Sequence, residues 1–175
     1  MLACLLGAAC ESKESECATA RAAAVAAWDG YVAELVKARA AAAAAQSESK
    51  RKMTAEIEPR LAPGTFELAD SRYPRSSDAW VRAQQFALHD ACNKDPECSA
   101  VRRKQDEITL TLTDLDERLA PARAAADAMR GAIAKASEAS AAAFPHPEMP
   151  GLKAAQQATR DAANACEGVA EPSGH

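Results

Sequence analysis

Apolar residues in the second half of this chain recur at steps of three and four: Val101, Ile108, Leu112, Leu115, Leu119, Ala122, Ala126, Met129, Ile133 and Ala136. That spacing is the seam of a coiled coil, in which one face of a helix meets a partner along its length. Composition points the same way. Hydrophobic residues make up 48% of the chain but aromatic ones only 4%, and alanine fills the difference. Alanine is the best helix former and costs no side-chain entropy, yet it buries little area. Long helices come easily to such a chain, and a thick globular core does not. One stretch, Ile108-Thr109-Leu110-Thr111-Leu112-Thr113, alternates like a strand. Its place inside the longer helical period overrules that local signal.

Helix boundaries follow from the same periods. Residues 14–58 read as one long helix with the stripe Cys17, Ala24/Val25, Trp28, Val32, Leu35, Ala42, Met53 and Ile57. Pro59 and then Pro63-Gly64 should end it. Residues 60–76, polar and punctuated by proline, are expected to be irregular. Ser77 is placed to cap a short helix reaching about Ala91. Asp95-Pro96-Glu97 opens a second long helix, with a capping acid and proline at the first position. It should run to about Ala143, kinked rather than stopped by Pro121. After a proline-rich turn over residues 144–151, a last helix spans 152–166, with Leu152, Ala155, Thr159, Ala162 and Cys166 on one face.

The two long helices are nearly equal, about 70 Å each at the standard rise. Folded back with Glu58 near Glu97, they set the alanines of residues 40–45 against residues 110–115, and Trp28 against the alanines of 124–126. Large then opposes small, which fills a seam without voids. The expected fold is all-α: a long antiparallel two-helix coiled-coil hairpin with two shorter packed helices, an elongated bundle.

The N-terminus carries a separate signal. The apolar run Leu5-Leu6-Gly7-Ala8-Ala9 meets Cys10, and Glu11-Ser12-Lys13 follow at once. This pattern resembles the lipobox of bacterial membrane lipoproteins. The resemblance implies cleavage before Cys10, a lipid on Cys10, and a place in the cell envelope on the periplasmic or surface side of a bacterial membrane. Cys4 fits less well, because apolar sequence continues beyond it. On this reading residues 1–9 are a signal-peptide remnant, 10–13 a tether, 14–167 the helical domain and 168–175 a disordered tail. The competing reading is a hydrophobic N-terminus on a soluble cytoplasmic protein.

Setting aside Cys4 and Cys10 leaves Cys17, Cys92, Cys98 and Cys166 of the six cysteines. An even remainder suits two disulfides in an oxidising compartment. Cys92 and Cys98 flank the turn at residues 93–97, where a bridge would pin the short helix to the start of the long one. Cys17 and Cys166 both fall on apolar stripes. Their pairing requires the turn before the last helix to hang below the start of the first, and the sequence leaves that open.

The fold-back also brings Lys50-Arg51-Lys52 level with Arg102-Arg103-Lys104. The four-apart pairs Arg102–Asp106, Arg103–Glu107 and Glu48–Lys52 should partly neutralise this collar and leave an ordinary solvated face. The sharper reading is a patch for a protein or an anionic polymer. A net charge of −4 disfavours nucleic acid as partner. The three histidines, His89, His146 and His175, are scattered, and no glycine-rich phosphate loop occurs. No catalytic set, cofactor site or small-molecule substrate is evident, so the chain reads as a non-enzyme with a structural or protein-interaction role at the envelope. A second reading is a periplasmic binding or chaperone-like module gripping clients between helices, with Pro121 as the kink and Trp28 and Met129 as lining. A third is a metal or enzyme site using His89, Cys92 and Cys98, with Asp95 as a further ligand, although the spacing matches no zinc pattern.

Overall fold

The computed structural model of the chain describes residues 3–70, 72–75, 77–131 and 150–169, without the side chains of 3–11 and 64–69. Every regular element among them is helical. These are α1 (Ala3–Lys52), a π-helical turn (Met53–Ile57), α2 (Glu58–Asp70), α3 (Asp78–Lys94), α4 (Pro96–Gly131) and α5 (Pro150–Ala165). The all-α expectation holds. The chain divides into two units, Met1–Arg39 with Asp114–His175 and Ala40–Thr113.

In the first unit α1, α4 and α5 share one core. Arg39 pairs with Asp116, Asp29 with Arg130 at 2.6 Å, and the Arg21 guanidinium donates to the Gly131 carbonyl at 2.6 Å. Numbers rise along α1 as they fall along α4, so the two run antiparallel. The same holds for α5. Cys17 is bonded to Cys166, and the Trp28 indole N–H donates to Thr159 Oγ1 at 2.9 Å. Further along, Gly151 lies against Tyr31 and Glu34. Bulk comes from Trp28, Tyr31, Leu35, Met129 and Leu152, and the spaces between are closed by Ala122, Ala125, Ala126, Ala155 and Ala162, all buried. Large thus nests against small, as a seam requires.

Two details of this unit differ from the sequence reading. Tyr31, not Val32, is the core residue after Trp28, and Val32 is half-buried. The steps Ala24, Trp28, Tyr31, Leu35 keep the four-three-four rhythm that Val32 would break. The last helix enters beside Tyr31 and Glu34 and descends toward Cys17, rather than climbing from the base. The height obstacle to the Cys17–Cys166 bridge disappears for that reason. The expected extension of the second long helix to Ala143, with Ile133 and Ala136, and most of the turn at 144–151 lie outside the described residues.

The second unit holds the end of α1, the π turn, α2, α3 and the start of α4. Lys52 pairs with Glu97 at 2.8 Å and Met53 Sδ lies 3.7 Å from Cys98 Sγ, which sets the end of α1 and the π turn beside the start of α4. Its core is small: Ile57, Cys92, Cys98 and Val101, with Met53 and Leu61 packed on it. The capping residues sit as read. Ser77 Oγ accepts from the Trp80 N–H at 3.1 Å, and Asp95 Oδ1 from the Cys98 N–H at 2.8 Å. The strand-like stretch is helical, with the Thr109, Thr111 and Thr113 hydroxyls donating to carbonyls four residues back.

Proline does not stop the chain where expected. Residues 60–70, read as irregular, continue as α2, with Pro63 inside it. The π turn explains Pro59: the Glu58 N–H reaches back five residues to the Met53 carbonyl. That wider turn displaces the carbonyl a proline ring would otherwise strike. The end of α2 is tied to α3 through Asp70, which accepts from the Trp80 indole at 2.8 Å and pairs with Arg75. At the N-terminus helix starts at Ala3, so the proposed tether at residues 10–13 is helical. After α5, Gly168 adopts φ 78° and the Val169 N–H bonds the Cys166 carbonyl at 3.0 Å. Such a left-handed residue just past a helix favours glycine.

Candidate functional site

All four cysteines downstream of Cys10 are paired, Cys17 with Cys166 and Cys92 with Cys98, with Cα separations of 4.6 and 5.1 Å. Cys92 closes α3 and Cys98 lies in the first turn of α4, so the short bridge fixes the corner between them. Asp95 sits in that corner with its side chain only 16% exposed. The Cys98 N–H holds its carboxyl below the usual carboxylate range, helped by Arg60. Cys10 lies within α1, and its side chain is outside the described residues.

The two halves of the basic cluster are in the second unit, but the four-apart pairs expected there do not form. Lys52 bonds Glu97 instead of Glu48, and Arg51 takes Glu48 at 2.7 Å. Lys50, Arg102, Arg103 and Lys104 form no ion pair with a described residue. Three of these are exposed, and Arg102 is half-buried.

Arg102 faces a feature the sequence reading missed, a pocket of about 400 Å³ in the second unit. Its apolar lining is Met53, Leu88 and the Cys92–Cys98 bridge. Gln85, His89 and Gln105 add polar groups, and Glu58 and Arg102 add one charge of each sign. His89 Nδ1 lies 3.1 Å from Asn93 Nδ2. Sequence periodicity could not have assembled this set, because the helix period does not tell how Gln85, Leu88 and His89 of α3 pack beside Glu58 and Arg102. Among the described residues no group of three His, Cys, Asp or Glu could hold a metal. Cys92 and Cys98 are bonded to each other, so His89, Cys92, Cys98 and Asp95 do not make the ligand set considered above.

In the first unit Trp28 and Met129 are fully buried, not lining an open cleft. A shallow groove there is flanked by Arg21 and Arg130, both already bonded to Gly131 and Asp29. Elsewhere in the same unit Tyr31 is held above its usual pKa by burial, an effect opposed by its hydrogen bond to Arg118. Arg118 in turn pairs with Asp114 at 2.9 Å. Comparison with protein-family models, curated proteins and solved structures finds no match to this chain.

Proposed function

We propose that the chain is an exported helical protein, lipid-anchored through Cys10, with a structural or protein-interaction role at a bacterial cell envelope. The observation that carries this reading is the cysteine pairing. Two disulfides consume Cys17, Cys166, Cys92 and Cys98, and cytosolic thiols are ordinarily kept reduced. The remaining cysteines, Cys4 and Cys10, both lie in the apolar N-terminal segment. Among the described residues no helix is long and apolar enough to cross a membrane, so attachment would rest on the lipid.

Cys17 follows Cys10 by seven positions, about 10 Å of helix. A lipid on Cys10 would therefore hold the stapled end of the first unit close to the bilayer. The uncommitted cations Lys50, Arg103 and Lys104 suit a protein or polymer of negative charge. On this reading the protein acts through its surfaces.

Metabolic labelling with a tagged fatty acid in a bacterial host tests the anchor. The native chain should take up label and fractionate with membranes, Cys10→Ala should lose both properties, and Cys4→Ala should keep them. Label that persists in Cys10→Ala would overturn the assignment.

A further inference from the structure

Glu58 and Arg102 line the same pocket, both half-buried, and neither side chain bonds or pairs with a described residue. The ion pairs of the second unit pass them by: Arg60 pairs with Asp95 and Glu97, Lys52 with Glu97 and Arg51 with Glu48. A half-buried charge without a partner is costly, and two of opposite sign around one cavity are an unusual arrangement to leave unused. We propose that this pocket binds a small zwitterion with an apolar side chain, a free amino acid or short peptide, its ammonium on Glu58 and its carboxylate on Arg102.

The chemistry selects this class over its neighbours. A simple anion would satisfy Arg102 but be repelled by Glu58, and a simple cation would meet the reverse. A ligand carrying both charges neutralises both residues at once. Arginine presents its donors as a planar fork that matches a carboxylate. Met53, Leu88 and the Cys92–Cys98 bridge form an apolar wall for a side chain, with both cysteines under 4% exposed. At about 400 Å³ the space falls within the range of small-ligand sites. The groove of the first unit lacks this property, because both its arginines are already bonded. The inference stands whether or not Cys10 carries a lipid.

Calorimetry on the full, oxidised chain with leucine, dileucine, N-acetyl-leucine and leucinamide is the test. One or both zwitterions should bind, and the ligand lacking either charge should bind about tenfold more weakly. Arg102→Gln should erase the preference for leucine over leucinamide while keeping that over N-acetyl-leucine, and Glu58→Gln should do the opposite. Comparing leucine with dileucine separates amino acid from peptide. No binding of either zwitterion at millimolar concentration, or equal losses in both variants whichever charge is removed, would overturn the proposal. Because the ligand series is read on the unaltered protein, a variant that fails to fold leaves the test intact.

Discussion

Trp28 carries the heaviest packing in the first unit, and its one polar atom is matched by Thr159 Oγ1. Thr159→Val keeps the shape and removes this acceptor from the buried indole N–H. Urea unfolding should show a loss of about 1–3 kcal/mol, whereas no loss would mean that the bond contributes nothing. Tyr31, next to it, gives a pH signature. Burial raises its folded pKa above the ordinary 10.0, with Asp114 and Glu34 adding to the rise. The neutral phenol therefore stabilises the fold fully below the unfolded value, and that contribution drains as pH rises through the folded one. Stability measured from about pH 9 to about 11 should fall less steeply in Tyr31→Phe than in the native chain. Sequence alone could see Trp28 on a stripe. It could not see Thr159 as its partner, since that depends on which way α5 runs.

At the scale of elements, what was legible is what local chemistry fixes. Asp95-Pro96 and Ser77 cap helices as such residues should, and the buried residues Leu115, Ala122, Ala126 and Met129 follow the period of the sequence. Pro59 and Pro63 misled, because a π turn and the packing of Ile57 and Leu61 on the small core carry helix past them. Proline is a local penalty, and tertiary contacts outweighed it here. Pro63→Ala should restore a backbone donor and stabilise the second unit by about 1–3 kcal/mol, read by chemical denaturation. Gly30 is a simpler case, exposed inside α1 with nothing within 4 Å of an added Cβ. Gly30→Ala should add about 1 kcal/mol. Gly151→Ala should not, since its Cβ would stand 3.2 Å from the Tyr31 ring and closer still to the Glu34 carboxylate. The pocket was invisible at this scale for a different reason: Gln85, Leu88 and His89 complete its lining, and how α3 packs is not written in its period.

For the whole molecule the two bridges differ in what they hold. Cys17–Cys166 closes a separation of 149 residues and Cys92–Cys98 one of 6. In the chain-entropy view the long bridge contributes about 5 kcal/mol and the short one about 2. Paired alanine replacements should therefore cost more at Cys17/Cys166 than at Cys92/Cys98, and calorimetric melting reads the difference. The cysteine pairing also carries the reading of an exported protein. Intact mass with thiol mapping, on protein made in a bacterial envelope, tests that claim most directly. The expected product begins at a lipid-bearing Cys10 and contains both crosslinks. An unprocessed N-terminus with free thiols at Cys17, Cys92, Cys98 and Cys166 would contradict it.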